Sequence, residues 1–218
     1  MPLNFWQYCA NAMPLLLDGL VFSLTLFSVV AAVSFPLSIV LAVLKISGPR
    51  WVKAVLGFYT WIFRGTPLLI QLFLVYYGLP YVGVILPTNV VIFSIFILSA
   101  SAYEIEVIRG GLISIDKGHY EACHVLGMSY IQTLRRVVIP QTIRKVLPPT
   151  CSEAIILFKD TSLVTAIAVF DLLRHARNLV FQHGRIDAFV VALFFYLVIS
   201  SILTITFTKL EKRFPAQI

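Results

Sequence analysis

Several ionisable residues lie within or beside the long apolar runs of this chain, where a charge is costly unless it meets a partner or a water-filled cavity. They are Arg64, Glu104, Glu106, Glu153, Lys159 and Asp160. Their types suit two kinds of chemistry. The carboxylates hold the cationic group of a passing solute, or they pair with neighbouring cations and fix the packing of helices. For Glu153 and Asp160 the sequence leaves both interpretations open.

Two of these positions favour a structural role over contact with a solute. Glu106 and Arg109 are three residues apart, which brings them to one face of a helix and favours a structural ion pair. Arg64 precedes Thr66 and Pro67, a candidate N-cap and a residue that suits the first turn of a helix. An Arg64 that reaches the membrane surface is therefore favoured over one that lines a solute path or pairs with a carboxylate.

The patterns typical of an enzyme or a metal site are missing from the sequence. It has no GxxxxGK[ST] loop to cradle the phosphates of ATP, and no HExxH or CxxC spacing. Its histidines and cysteines are scattered: Cys9, His119, Cys123, His124, Cys151, His175 and His183. We therefore expect no enzyme activity, no disulfide framework, and no metal or cofactor bound by this chain.

The apolar runs that position the ionisable residues predict an integral membrane protein. Of 218 residues, 59% are hydrophobic and 12% are charged, whereas a soluble domain carries about twice that charged fraction. The mean hydropathy is +0.92. We predict an all-α protein with about five membrane spans, each long enough to cross a hydrocarbon core of about 30 Å. The predicted spans cover 19–44, 58–79, 88–109, 150–173 and 187–208.

Together these spans make a single domain over 19–210. The second run is interrupted at 64–67, which predicts a surface or shallow helix over 54–63 and a span proper over 67–79.

The distribution of positive charge sets the expected orientation. With the N-terminus outside, the segments 45–53, 109–147 and 209–218 face the cytoplasm and carry twelve of the 17 Lys and Arg residues. The outer segment 174–187 carries three and is predicted to be a polar loop in which its two histidines are solvated. This bias follows the positive-inside rule and places the C-terminus in the cytoplasm. It also accounts for the net charge of +7, so we expect no nucleic acid as a partner.

A polar segment over 116–149 separates the third and fourth predicted spans. Its apolar residues recur at three- and four-residue steps, which is typical of an amphipathic helix. Gly127 suits a turn out of one short helix, and Ser129 suits the cap of the next. Pro140 is expected to end the second helix, because it lacks an N–H and its ring crowds the preceding turn. The segment is therefore predicted to form a helix, a turn and a second helix at the membrane surface.

The same segment carries a family resemblance. The matching residues are Glu121, Ala122, Gly127, Ile139 and Pro140. Their order and spacing resemble the cytoplasmic EAA loop of bacterial ATP-binding cassette permeases. Three residues depart from that pattern: Cys123 replaces the second alanine, Val137 stands where isoleucine is usual, and Ile139 replaces leucine. Three longer stretches resemble the polar amino-acid subfamily, which covers histidine, glutamate, glutamine, arginine and opine permeases, with cystine-type permeases most similar. They are IFRGTPLLIQLFLVYYGLP (62–80), AYEIEVIRGGLISIDKGHYEA (102–122) and LFKDTSLVTAIAVFDLL (157–173).

The resemblance implies a MetI-like permease fold with a cytoplasmic coupling helix between spans 3 and 4. It implies a multi-pass protein of the bacterial inner membrane that forms the substrate path of an ATP-driven amino-acid importer. The residues expected to contact the ATPase are Glu121, Ala122, Cys123, Gly127, Met128 and Ser129. The candidates for the substrate path or its gating are Arg64, Thr66, Glu106, Glu153, Lys159 and Asp160.

The expected partners follow from what one chain lacks. Two ATP-binding cassette ATPase subunits would bind the ATP. A second permease, identical or related, is expected because one chain has too few helices to enclose a path. An extracytoplasmic substrate-binding protein would deliver the solute, and the lipid bilayer surrounds the spans.

Two other functions remain open from the sequence. A secondary transporter or channel driven by an ion gradient would use its buried acids as proton or sodium sites: Glu104, Glu106, Glu153 and Asp160. A membrane scaffold would only recruit cytosolic proteins. The small number of spans, the lack of an internal repeat and the docking-like loop argue against the first. The charges within the apolar runs argue against the second.

Overall fold

The computed structural model describes residues 4–214, and every regular element in that range is helical. The α-helices of that range are α1 Phe5–Ser47, α2 Arg50–Gly65, α3 Leu68–Tyr81, α4 Thr88–Ile113, α5 Lys117–Val125, α6 Tyr130–Thr133, α7 Ile139–Asp160, α8 Leu172–His183 and α9 Asp187–Arg213. A π-helical turn, Leu134–Val138, leads into α7, and a 3-10 helix, Thr161–Ile167, follows it. The all-α prediction is confirmed.

Three helices of the described range are long and apolar enough to cross a membrane: α1, α4 and α9. The helices α2 and α3 pass the same test only as a pair, and a bend of 102° separates them. The structure therefore supports three spans, or four if the bent pair is one span. The count of five, the outside N-terminus and the cytoplasmic C-terminus stay predictions.

The predicted span over 58–79 consists of two helices, as its polar interruption indicated. α2 ends at Gly65 and α3 begins at Leu68. The break follows from Pro67, because a proline disfavours helical geometry in the residue before it. Thr66 accordingly has an extended backbone, with φ −125° and ψ 145°.

Thr66 is the C-cap of α2, so the prediction that it caps the start of α3 is wrong. Its hydroxyl donates to the carbonyl of Ile62 at 2.8 Å. The N-cap of α3 is Pro67, which makes no side-chain cap. Gln71 Nε2 donates to the carbonyls of Phe63 and Thr66 at 2.9 and 3.0 Å. These bonds satisfy carbonyl groups that the end of α2 leaves without helical partners.

The predicted span over 150–173 is also interrupted. α7 ends at Asp160, and the 3-10 helix carries the chain to Ala168, which has a left-handed φ of 63°. α8 then begins under the cap of Asp171, whose carboxylate accepts a hydrogen bond from Arg174 N at 2.9 Å. An apolar run does not distinguish one long helix from two linked helices, because both bury the same residue types.

The polar loop predicted over 174–187 is wrong, because most of it belongs to helix α8. The buried face of α8 repeats at three- and four-residue steps: Leu172, Ala176 and Leu179. This face packs on α1 and α9, and Gly184 ends the helix with φ 64°. His175 is buried instead of solvated and lies 3.6 Å from Asp18. His183 is exposed.

The first helix joins all three buried apolar clusters of the described chain. Leu16 and Leu20 pack with α8 and α9, whereas Leu26 and Val30 pack with α3, α4 and the 3-10 helix. Ala42 packs with the C-terminal half of α4 and the π-helical turn. The part of α1 between the second and third clusters lines a cavity together with α4 and α7.

The polar segment between α4 and α7 begins as predicted. α5 ends in a Schellman motif, in which Gly127 has φ 73° and Met128 N donates to Cys123 O at 3.0 Å. Ser129 then caps α6 in a capping box with Gln132. The predicted order of helix, glycine turn and serine-capped helix is confirmed.

The expectation that Pro140 ends the second helix is wrong. Helical structure continues from Tyr130 through the π-helical turn to Asp160, and Pro140 lies in the first turn of α7. In the π-helical turn, Ile139 N donates to Leu134 O. This wider turn accommodates a proline ring and its missing N–H without breaking the helix.

Candidate functional site

A cavity of about 370 Å³ lies between α1, α3, α4 and α7. Its size falls within the range of pockets that bind small molecules. Three carboxyl groups line it, from Glu104 of α4 and from Glu153 and Asp160 of α7, and most of the other lining residues are apolar or small. We call this space the acidic cavity.

Helix geometry places the three carboxyl groups. Glu153 and Asp160 are two helical turns apart on α7, so they lie on one face of it. Thr150 of the same helix donates from Oγ1 to Glu104 Oε2 at 3.0 Å, which joins α7 to α4. Glu104 is only 6% exposed. Asp160 is the last residue of α7, where the helix dipole already contributes partial negative charge.

The acids of the cavity form no close ion pair with a cation of the described chain. Within residues 4–214, no ion pair of 4.0 Å or less involves Glu104, Glu153 or Asp160. All three acids line the same cavity, so negative charges on them repel one another. Negative charge in a largely apolar cavity is costly and is stabilised when a cation enters. The arrangement can hold an ammonium or a guanidinium group.

A second charged group surrounds Glu106 on α4. The carboxylate of Glu106 lies 2.5 Å from Lys45 Nζ, 2.9 Å from a nitrogen of Arg109 and 3.8 Å from one of Arg64. Lys45 Nζ also donates to Thr60 Oγ1 at 2.5 Å, so the group joins α1, α2 and α4. We call Lys45, Arg64, Glu106 and Arg109 the Glu106 cluster.

Most of the Glu106 cluster fixes helix packing. The side chains of Lys45 and Glu106 are each 14% exposed, and the structure contains the expected Glu106–Arg109 ion pair. Arg64 is different, because its side chain is 45% exposed and its guanidinium lies 5.6 Å from the centre of the Tyr103 ring. Its contact with Glu106 supports the alternative in which Arg64 pairs with a carboxylate.

The six candidates for the substrate path fall in three places. Those that line the acidic cavity are Thr66, Glu153 and Asp160. Those in the Glu106 cluster are Arg64 and Glu106. The side chain of Lys159 is exposed and does not line the cavity. Lys159 and Asp160, which are neighbours in the sequence, therefore have different surroundings in the structure.

Two residues that matter to these regions, Glu104 and Lys45, are not among the six substrate-path candidates. Glu104 is two residues from Glu106, and this spacing is the available signal, because positions two apart on a helix face different ways. Lys45 has the pattern of a loop cation, yet it lies in the last turn of α1. Nothing local marks Lys45, because its partner Glu106 is 61 positions away in the chain.

The residues expected to contact the ATPase lie on α5 and in the turn after it. Glu121, Ala122, Gly127 and Ser129 are exposed, Met128 is partly buried and Cys123 is buried. Large apolar side chains around them are also exposed: Val125 at 85%, Leu126 at 77% and Ile131 at 74%. We call this region, 117–131, the loop surface.

The loop surface is attached to three of the long helices. Tyr120 packs in the third apolar cluster beside α4, and burial raises the pKa of its phenol. The hydroxyl of Tyr130 forms a hydrogen bond with that of Ser47 at the end of α1. Helical structure continues from Tyr130 of this region into α7, and Lys145 of α7 donates to the carbonyl of Ser114, which follows α4, at 2.9 Å. A displacement of α5 would therefore reach α1, α4 and α7.

Comparison with known proteins decides the family. A family model described as "Binding-protein-dependent transport system inner membrane component" matches residues 34–215, which is most of the chain. The chain belongs to this family. It is therefore a membrane component of a transport system, and the resemblance to permeases seen in its motifs is confirmed.

Relatives of similar length share about a third of their residues with this permease. The octopine transport system permease protein OccM of Rhizobium radiobacter is 33% identical over an alignment that covers 96% of this chain and 88% of the relative. The L-cystine transport system permease protein TcyB of Bacillus subtilis is 34% identical, with the same coverage. The arginine transport system permease protein ArtQ of Bacillus subtilis is 34% identical and covers 92% of both chains.

Solved structures share the fold. A chain in a crystal structure of an amino acid ABC transporter with histidines superimposes with a TM-score of 0.88 at 30% identity, covering 98% of this permease and all of that chain. A chain of the inward-facing MetNI methionine ABC transporter gives a TM-score of 0.75 at 17% identity, covering 93% and 97%. The second likeness shows the fold alone. The predicted MetI-like permease fold is confirmed.

Proposed function

We propose that this chain is the permease subunit of an ATP-driven amino-acid importer in the bacterial inner membrane, and that the acidic cavity is its solute site. One observation carries the site. Glu104, Glu153 and Asp160 line a cavity without an ion-pair partner in the described range, whereas neighbouring Glu106 has three cations around it. Unpaired ionisable groups inside a membrane protein face a solute path or a wet cavity.

The chemistry of amino acids fits this cavity. Every amino acid carries an α-ammonium group, and arginine and octopine, after which two relatives are named, also carry a guanidinium. We assign the cationic group of the solute to Glu153 and Asp160. Glu104, which accepts a hydrogen bond from Thr150, is a further acid of the cavity wall. Solute contact is favoured over an internal salt bridge, because neither α7 carboxylate has a cation within ion-pair distance among residues 4–214.

Coupling to ATP use is assigned to the loop surface. Its exposed apolar side chains and the rigid Schellman turn at Gly127 suit a short helix that docks in a groove of an ATPase. Glu121, Ala122, Met128 and Ser129 would lie at that contact, with buried Cys123 packing α5 against the permease. The links from this region to the long helices would carry rigid-body motion of the ATPase to the cavity.

The rest of the importer would come from other chains. Two ATP-binding cassette ATPase subunits would bind ATP, since this sequence has no phosphate-binding loop. A second permease would complete the path, and an extracytoplasmic binding protein would deliver the amino acid. Five spans, an outside N-terminus and a cytoplasmic C-terminus complete the proposed topology. Membership of a binding-protein-dependent family favours this assembly over an ion-gradient-driven transporter or channel.

The test separates transport from assembly in the reconstituted importer. Glu153→Gln and Asp160→Asn keep side-chain size and remove the charge. We expect each variant to assemble with its ATPase and binding protein as the unsubstituted chain does, and to lose at least about tenfold in uptake of a cationic amino acid. Loss of assembly together with uptake would show that these carboxylates fix packing, and normal uptake would remove the cavity from the transport path.

A further inference from the structure

Arg64 lies between two regions of opposite charge. It stands at the end of α2, just before the 102° bend, and the next residues, Thr66 and Pro67, line the acidic cavity. On one side its guanidinium is 3.8 Å from the carboxylate of Glu106. On the other side its guanidinium lies over the ring of Tyr103, which lines the acidic cavity together with Glu153.

The contact between Glu106 and Arg64 is the longest ion pair of the Glu106 cluster. Lys45 occupies Oε1 of Glu106 at 2.5 Å, and Arg109 occupies Oε2 at 2.9 Å. Arg64 is a third cation on a carboxylate whose two oxygens already have close partners. The Glu106 cluster thus has an excess of positive charge, whereas the acidic cavity has an excess of negative charge. Arg64 is also the most exposed cation of the cluster, with 45% of its side chain accessible.

We propose that Arg64 is a mobile counter-ion of the acidic cavity, which exchanges between Glu106, its partner in this structure, and Glu153, and which is confined to Glu106 when a cationic amino acid binds. This inference rests on the proposed function of the cavity and adds a determinant of its affinity. A guanidinium binds a carboxylate with two parallel hydrogen bonds. The ring of Tyr103, over which Arg64 already lies, gives the guanidinium a favourable surface at the edge of the cavity.

The consequence is competition between Arg64 and the solute for the same carboxylates. A cationic amino acid must displace Arg64, so its apparent affinity is lower than the carboxylates alone would give. An amino acid of the same shape with an uncharged side chain has only its α-ammonium group for those carboxylates, so it gains less from them and is less affected. Removal of the Arg64 charge should therefore strengthen the binding of cationic amino acids selectively.

The experiment measures binding to the purified permease–ATPase complex without its binding protein. The probes are arginine, lysine and ornithine, whose side chains are cationic at neutral pH, with citrulline as the counterpart of arginine whose side chain is uncharged. We expect Arg64→Gln to bind the preferred cationic probe about tenfold more tightly than the unsubstituted complex, with citrulline changed by less than about twofold. Arg64→Lys retains the cation and should behave as the unsubstituted complex does.

Two further variants make the result specific. Lys53→Gln removes the same charge from an exposed position on the same helix and should leave every affinity unchanged. Adding Glu153→Gln to Arg64→Gln should remove the gain, because the competing carboxylate is then absent. A melting curve of each complex shows whether a variant is folded.

Each outcome decides between the inference and the proposed function. If binding depends on Glu153 but Arg64→Gln leaves it unchanged or weakens it, the proposed role of Arg64 is wrong and the solute site is retained. Binding in which Glu153→Gln has no effect, or no binding of any cationic probe by either the unsubstituted or the Arg64→Gln complex, would overturn both. If Lys53→Gln increases the affinity as much as Arg64→Gln does, the effect comes from the net charge of the complex, and the inference is wrong.

Discussion

Glu106 and Glu153 are both carboxylates within the same apolar helix bundle, yet their surroundings are opposite. Glu106 has two cations at 2.5 and 2.9 Å and a third at 3.8 Å. Glu153 faces a cavity of about 370 Å³ beside two further acids, and no cation of the described range is within ion-pair distance of it. The first arrangement compensates a buried charge, and the second leaves charge available to a ligand.

This difference separates structural from functional acids in a membrane protein. Removing one partner of a buried ion pair leaves its neighbours uncompensated, so the fold suffers. Removing an uncompensated acid relieves repulsion, so the fold is unharmed while ligand binding is lost. Stability and transport should therefore respond in opposite ways at Glu106 and Glu153.

The largest effect on stability is expected at the Glu106 cluster. Glu106→Gln leaves Lys45 and Arg109 without their shared carboxylate, which should destabilise the permease by about 3 kcal/mol. Thermal unfolding of the purified complex in detergent measures this loss, with Glu153→Gln as the matched variant. A melting temperature that falls for Glu153→Gln and not for Glu106→Gln would reverse the assignment of the two acids.

A smaller effect is expected where the two helices of the cavity meet. Thr150→Val keeps the shape of the side chain and removes the hydrogen bond to Glu104. The permease should lose about 1 kcal/mol of stability, and uptake of a cationic amino acid should fall by less than it does for Glu153→Gln. Uptake that falls as far as in Glu153→Gln would mean that Glu104 is the principal solute contact.

The smallest effect is expected at Lys159, which adjoins Asp160 in sequence but is exposed. Lys159→Gln should change stability by less than about 0.5 kcal/mol and leave uptake near its original rate. Parallel uptake assays with Asp160→Asn provide the comparison. An equal loss of uptake in both variants would show that Lys159 takes part in the site although its side chain is exposed.

Local chemistry predicted much of the fold. The turn at Gly127 and the cap at Ser129 depend on neighbouring residues, and both have the expected geometry. The apolar runs correctly indicated an all-helical membrane protein. The prediction that Pro140 ends a helix was wrong, because the π-helical turn before it accommodates the proline ring and its missing N–H.

Long-range packing determined what the sequence did not predict. The break between α7 and α8 depends on the cap at Asp171 and on a left-handed Ala168, features that leave no mark on hydropathy. The contact of Lys45 with Glu106 and that of Thr150 with Glu104 join residues 61 and 46 positions apart. Such pairs arise from the crossing of α1, α4 and α7, so spacing along one helix does not reveal them.

The most direct test of the acidic cavity is the reactivity of a cysteine placed inside it. Ala154→Cys sits in the cavity wall, and the native Cys9, Cys123 and Cys151 are buried, so the unsubstituted chain is the blank. The rate of reaction is measured with a cationic and an anionic methanethiosulfonate reagent, with and without a cationic amino acid. We predict that the cationic reagent reacts at least about tenfold faster and that the amino acid slows it. Equal rates for the two reagents, without protection by the amino acid, would contradict the account.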